Sequence, residues 1–214
     1  MRLLVCSGHT LQGVGSGAIG YINESKENRE LSNIVVKYLK MAGHEVDYFE
    51  VNEGKDYLAK QVEKANSKDY DLVVQIHFNA YKTTDKAMGT ETLYISDSGK
   101  VWAEKIDNKL GTVFQSRGIK RAEGLYWLKN SKPIAVLIET CFVDSKADTD
   151  KYLVNKNKVG KLIAEAIHRS EIKEEEIFYR VIAGSYSQRE NAEQQLKLLN
   201  DKGIKGGFID IYKK

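Results

Sequence analysis

The sequence predicts an α/β fold: a three-layer sandwich in which helices flank a largely parallel central sheet, followed by a small C-terminal β-α-β unit. Short apolar runs alternate with helical patterns along most of the 214 residues, which is typical of a sheet with helical crossovers. The chain is also long enough for one sizeable core and a small appendage, because domains commonly contain about 100 to 150 residues. The runs that resemble strands occupy residues 2–6, 44–51, 71–78, 89–96 and 133–142.

Four helices are predicted between and after these strands. The first begins near Glu24, shows apolar residues at the spacing of one helix face, and ends at Gly43. Two more are predicted at residues 55–67 and 99–116. A fourth closes the first domain, which is predicted to span residues 1–169.

The C-terminal part of the chain differs in composition. The segment SEIKEEEI is dense in charge and predicts a linker over residues 170–177. Residues 178–214 contain a strand pattern, a helix with Ala192, Leu196 and Leu199 on one face, and a second strand pattern, which together predict one β-α-β unit. Because a unit this small buries little apolar surface, we expect it to pack against the first domain, a second copy of itself or a ligand.

Charge, hydropathy and cysteine content limit the possible functions. A formal net charge of +3 is too small to predict nucleic-acid binding, although it is compatible with an anionic polymer as substrate. No apolar run is long enough for a membrane span, and the N-terminal apolar run is too short for a signal peptide, so we expect synthesis in the cytosol and no membrane partner. Cys6 and Cys141 each lie beside an apolar run and are expected to be buried thiols, with a disulfide left open.

Four polar residues occur where apolar strands run out or where a helix starts. His9 follows the first strand, and Glu24 opens the first helix. His77 and Glu139 lie near the ends of later strands. Because ligands of open α/β sheets bind beyond the carboxyl ends of the strands, these side chains can converge. Two imidazoles and a carboxylate can hold zinc with one position open for water, and a desolvated acid such as Glu139 can move protons.

Each of these residues also has a purely structural explanation. A lone strand histidine is more often hydrogen-bonded within the protein than bound to a metal. Glu24 follows Asn23, which can cap a helix, and Glu139 can pair with a lysine or arginine. The GxGxxG pattern at residues 15–20 is typical of dinucleotide sites, but here a long loop separates it from the preceding strand, which disfavours nucleotide binding.

Several motifs in order resemble the catalytic domain of zinc-dependent N-acetylmuramoyl-L-alanine amidases. They are GH, a glutamate followed four residues later by Asn28, VVQIHFNA, GIKR and LYWLKNSKPIAVLIE. The resemblance covers residues 2–169 and implies that one Zn²⁺ binds to His9, Glu24 and His77. Many members of the family carry a proline and a second glycine around the first histidine, where this chain has CSGHT.

Glu24 has two neighbours of the same residue type, Glu27 and Glu30. The spacing to Asn28 and the distance to Gly43 favour Glu24 as the ligand. The assignment of the carboxylate ligand therefore depends on spacing alone.

The resemblance also implies the reaction. In this family the carboxylate of the final strand motif is the catalytic acid/base, which corresponds to Glu139, and zinc activates the water. The bond that is cleaved joins N-acetylmuramic acid to the L-alanine of the peptidoglycan stem peptide. Asn79, on the same strand face as His77, is expected to position the zinc ligand or the substrate.

The C-terminal segment resembles the first half of a SPOR domain, a module that binds glycan strands stripped of stem peptides. A full SPOR domain has two β-α-β repeats, so the resemblance implies wall targeting or the pairing of two such segments in a homodimer. Together the resemblances indicate a phage endolysin or a mother-cell lytic enzyme that reaches the cell wall through a holin or cell lysis. A zinc peptidase and a wall-binding protein without activity stay open as alternatives.

Overall fold

The computed structural model describes residues 1–173 and 182–211. The chain divides into two compact units, Met1–Lys173 and Glu174–Lys214. Among the residues described, no helix combines the length and the apolar character that crossing a membrane requires.

The first unit is built around a six-stranded sheet with the order β2-β1-β3-β6-β4-β5. Its strands are β1 (Arg2–Ser7), β2 (Glu45–Phe49), β3 (Leu72–Asn79), β4 (Thr90–Tyr94), β5 (Ser116–Arg121) and β6 (Ala135–Phe142). All neighbouring strands are parallel except β4 and β6, which are antiparallel. The predicted, largely parallel sheet is therefore confirmed, with β5 as an additional edge strand.

Helices cover both faces of the sheet and complete the three-layer sandwich. They are α1 (Glu24–Met41), α2 (Tyr57–Ala65), α3 (Asp97–Leu110), α4 (Tyr126–Asn130) and α5 (Lys146–His168). One core contains residues of α1, α3 and α5, such as Tyr38 and Ile163, whereas the core on the other face contains Val62 of α2 and Trp127 of α4. Both cysteines are buried and free, as expected.

Capping residues fix where several of these helices begin. The side chain of Asn23 accepts a hydrogen bond from the backbone N–H of Lys26 at the start of α1, and Ser145 accepts one from Asp148 at the start of α5. The third helix ends at Leu110 instead of residue 116, because the chain turns at the C-cap Gly111 to enter β5.

The second unit contains the predicted helix as α6 (Arg189–Asp201), and none of its residues is buried. The structure differs from the predicted β-α-β unit, because residues 182–188 and 202–211 form no strand. A strand needs a partner for its backbone N–H and C=O groups, and two strands are marginal even when they pair. The rest of the first strand pattern, and the end of the second, lie outside the described residues.

Candidate metal centre and active site

Two strand ends and one helix start meet at the carboxyl edge of the sheet. His9 follows β1, Glu24 is the first residue of α1, and His77 lies near the end of β3. Their potential ligand atoms all lie within 4.8 Å of one another. The ring centroids of the two histidines are 4.7 Å apart. The structure thus brings together the three residues that were predicted to bind a metal.

The carboxylate of Glu24 lies between the two imidazoles. Its Oε1 is 3.0 Å from Nδ1 of His77 and 3.2 Å from Nε2 of His9. Backbone N–H groups of Phe78 and Ala18 donate to the two carboxylate oxygens, at 3.1 and 2.9 Å. Burial opposes ionisation, but the hydrogen bonds from the histidines hold the pKa of Glu24 well below its usual value. The carboxylate is therefore ionised, as a metal ligand must be.

The two histidines have different surroundings. Burial lowers the pKa of His77 below its ordinary value, which keeps the imidazole neutral. Burial also acts to lower the pKa of His9, but the hydrogen bond and the charge of Glu24 raise it overall. His9 Nδ1 lies 2.9 Å from the carbonyl oxygen of Gly15, which can only accept. Nδ1 is therefore the donor. When the ring is neutral, this leaves the lone pair of Nε2, which lies 3.2 Å from Glu24, available to a metal ion, and when the ring is protonated Nε2 donates to Glu24.

The donor set fits a zinc ion. Imidazole nitrogen and carboxylate oxygen are both common zinc ligands, and three protein ligands are typical of catalytic zinc, in which the fourth position stays open. Glu27 and Glu30, the alternatives to Glu24, both pair at 2.6 Å with Nζ of Lys156. Of the three neighbouring glutamates, the structure therefore places only Glu24 against an imidazole pair.

Glycines leave the space that this cluster needs. A Cβ atom on Gly8 would lie 2.2 Å from Nε2 of His77, and one on Gly17 would lie 2.6 Å from Oε2 of Glu24. Contacts this short are not tolerated in proteins, so both positions require glycine while the cluster keeps its form. Gly17 belongs to the GxGxxG pattern, and its close approach to Glu24 gives that pattern a role other than nucleotide binding.

Buried hydrogen bonds from α1 hold the loop that carries His9. His9 has a φ of +58°, a left-handed conformation that is unfavourable for a residue with a Cβ. Nδ2 of Asn28 donates to the carbonyl oxygen of Gly8 at 2.8 Å. Nη2 of Arg29 donates to the carbonyl oxygens of His9 and Val51, at 3.4 and 2.8 Å. Asn28 belongs to a recognised motif, whereas Arg29 carried no signal in the sequence.

Strand β6 places Glu139 beside the metal cluster. Glu139 pairs in register with His77 of the neighbouring parallel strand. Its carboxyl is partly buried, and its Oε2 has no hydrogen-bond partner among the described residues. Burial, assisted by repulsion from Glu24 and Glu91, raises the pKa of Glu139 to about 8. A carboxyl group with a pKa near neutrality can both accept and return a proton.

A second carboxylate, Glu91 of β4, lies directly across from Glu139 in the antiparallel pair. Nε of Arg117 donates to its Oε2 at 2.9 Å, and Nζ of Lys120 contacts the same oxygen. Burial opposes its ionisation, but these cations hold the pKa of Glu91 below its ordinary value. Asn79 donates to Oε1 of Glu91 at 3.1 Å, so its amide is tied to this network. The sequence analysis did not predict Glu91 as a site residue, although an acidic residue within a predicted strand could have indicated one.

Two family profiles match parts of this chain. The profile of the N-acetylmuramoyl-L-alanine amidase family matches residues 3–169, and that of the SPOR domain matches residues 145–210. The two matches overlap in α5, which belongs to the first unit. Beyond this overlap, the SPOR match covers the segment that contains α6.

The chain is also similar to curated proteins and to a solved structure. An uncharacterized protein of Clostridium perfringens is 36% identical over 81% of this chain and 53% of its own length. The N-acetylmuramoyl-L-alanine amidase LytC of Bacillus subtilis is 33% identical over 72% of this chain and 32% of its own. The chain thus spans about half the length of these relatives or less. The catalytic domain of the CD27L endolysin, described as targeting Clostridia Difficile, is 34% identical with a TM-score of 0.74, over 81% of this chain and 99% of that domain.

Proposed function

This chain belongs to the N-acetylmuramoyl-L-alanine amidase family, and we propose that it hydrolyses the amide bond between N-acetylmuramic acid and L-alanine in peptidoglycan with the help of a zinc ion. The observation that carries this proposal is the meeting of two imidazoles and one ionised carboxylate within 4.8 Å, with Glu139 beside them in register. We propose His9, Glu24 and His77 as the residues that hold the zinc.

A zinc ion bound there supplies a Lewis acid, which lowers the pKa of water and polarises a carbonyl group. The protein supplies the proton transfers. Glu139 accepts a proton from the attacking water and then donates it to the alanine nitrogen when that nitrogen leaves. Burial raises the pKa of Glu139 in the metal-free chain, and the charge of a zinc ion beside it would lower this pKa again, so that the group can be ionised when it accepts the proton and protonated when it donates it. Asn79, fixed by Glu91, shapes the adjacent wall of the site.

The second unit is proposed to bring this activity to the cell wall. The SPOR match supports binding to peptidoglycan glycan, and the similarity to an endolysin catalytic domain supports a role in cell-wall lysis. Pairing of two second units in a homodimer is the alternative role. Helix α6 has no buried residue, which supports a partner of some kind.

The decisive experiment digests purified peptidoglycan with the full chain and measures both new amino termini and new reducing sugars. We expect amino termini of L-alanine only, loss of activity in excess chelator, and recovery on addition of zinc. Glu139→Gln should lower the rate at least about 100-fold, because it removes the acid/base group. Glu123→Gln, at an exposed position on the surface, is the matched control.

Three outcomes would contradict the proposal in different ways. New internal amino termini would indicate a peptidase. Full activity in excess chelator would exclude the zinc mechanism. An active Glu139→Gln variant would remove Glu139 from its proposed role.

A further inference from the structure

A cleft leads away from the proposed reaction site along the carboxyl ends of β3 and β6. It is lined by Asn79, Ala80, Tyr81, Met88, Arg117 and Phe142. Asn79 lies two residues beyond His77 on β3, which is a distance of about 7 Å along a strand. Phe142 pairs with Asn79 and follows Glu139 by three residues on β6. The cleft therefore begins where the zinc ligands and the proposed acid/base end.

A cationic group is held rigidly in the wall of this cleft. Nε of Arg117 is bound to Glu91, its Nη1 donates to the carbonyl oxygen of Met88 at 3.3 Å, and its guanidinium lies 5.1 Å from the ring centroid of Phe142. The Arg117 side chain nevertheless keeps 36% of its surface exposed. A guanidinium that is fixed but accessible is well suited to recognise a planar anion.

Arg117 brings a positive charge into the wall of the cleft. It is the one charged residue among the six described residues that line it. Lys120 contacts the same oxygen of Glu91 as Arg117 does, so Glu91 is shared between two cations. Arg117 therefore offers a fixed positive charge to a ligand in the cleft.

The proposed substrate supplies such a ligand. From the scissile amide the substrate continues as a peptide, and two extended residues span about 7 Å, which is enough to pass from His77 to Asn79 in the wall of the cleft. The second stem residue carries a free carboxylate or, where the wall is amidated, a carboxamide. We propose that the cleft binds the stem peptide and that Arg117 selects a carboxylate at its second residue, an inference that rests on the proposed function.

The test uses two preparations of uncrosslinked glycan strands that differ only in the second stem residue, which carries a carboxylate in one and a carboxamide in the other. We expect the zinc-loaded full chain to show a kcat/KM about 10-fold higher or more for the acid, the usual scale of a charge-assisted hydrogen bond. In Arg117→Gln this ratio should fall to about 1. In Arg121→Gln, on the same strand but paired with Glu123, the ratio should stay as in the unchanged protein.

The ratio of kcat/KM for the acid to kcat/KM for the amide shows whether Arg117 recognises the substrate or has only a structural role. If Arg117 only stabilises Glu91, Arg117→Gln will lower the activity on both substrates and leave their ratio unchanged, which overturns the inference. Equal kcat/KM values for acid and amide in the unchanged protein overturn it as well. If Arg117→Gln does not fold, Arg117→Lys keeps a charge near Glu91 without the planar fork and should still reduce the ratio several-fold. Absence of cleavage of either substrate contradicts the proposed amidase function itself.

Discussion

Glu139 is an acid whose environment resists its ionisation, and this has a consequence for stability. Its carboxyl group has a pKa of about 8 in the folded protein, against an ordinary value of 4.5. Between these pH values the folded chain keeps a proton that the unfolded chain releases, so the free energy of unfolding falls as the pH rises. This direction is opposite to that of a salt-bridged carboxylate, which stabilises a protein as the pH rises.

We therefore predict that Glu139→Gln becomes progressively more stable than the unchanged protein as the pH rises, because glutamine has the same shape and does not ionise. In metal-free protein the difference in unfolding free energy should grow by on the order of 4 kcal/mol between about pH 5 and 8.5. Urea denaturation at the two pH values measures it, with Glu123→Gln as control. A difference that stays constant with pH would show that Glu139 titrates normally.

The sequence predicted single functional residues where a polar side chain that can bind a metal or move a proton stood at the end of an apolar strand. His9, His77 and Glu139 interrupt or follow apolar strands, so their convergence was predictable from the rule that parallel strands end at one edge. Glu91 and Arg117 were not found, because their contact joins β4 to β5. The β5 segment SRGIKR has too few apolar residues to predict a strand.

At the scale of elements, the metal cluster depends on how closely the end of β1 approaches the end of β3. The backbone N–H of Gly8 donates to the carbonyl oxygen of Ile76 at 2.9 Å and extends the pairing of the two strands beyond Ser7. This bond places Gly8 against the imidazole of His77. The geometry of the cluster is therefore set by backbone pairing as well as by the ligands.

We predict that Gly8→Ala lowers the affinity for zinc at least about 10-fold, as changes around metal ligands commonly do. The new Cβ would lie 2.2 to 2.6 Å from ring atoms of His77 and would force the imidazole to move. Competition with a zinc chelator measures the affinity. Gly124→Ala is the matched control, because no atom lies within 4 Å of its Cβ position, and unchanged affinity in Gly8→Ala would refute the prediction.

At the scale of the whole molecule, the first unit was predictable and the second only in part. Five apolar runs and four helical patterns were enough for a three-layer sandwich, because a mostly parallel sheet must be covered on both faces. The C-terminal end of the first unit was harder to predict from the sequence. Ile172 lies in the charged segment predicted as a linker, yet it is buried, and its N–H bonds to Oε1 of Glu165 at 3.3 Å. One apolar residue in a charged run gave no periodic signal.

These contacts predict where the first unit can be cut. A chain that ends at Lys173 should melt within about 2 °C of the full chain, since it keeps every residue of the first unit. A chain that ends at Arg169 loses the burial of Ile172, about 2 kcal/mol, and should melt roughly 5 °C lower. Thermal unfolding followed by circular dichroism measures both truncations. Equal melting temperatures for the two would mean that Ile172 contributes nothing to the first unit.

The same truncation at Lys173 tests what the second unit does. The described part of that unit has a helix without buried residues and no strand, so burial of its apolar residues requires a partner. If that partner is a second copy, light scattering should give twice the chain mass for the full protein and the single mass for the truncated one. If the partner is peptidoglycan, the full chain should be monomeric, and only it should sediment with purified walls. A monomeric full chain that binds walls no better than the truncated chain would contradict both roles.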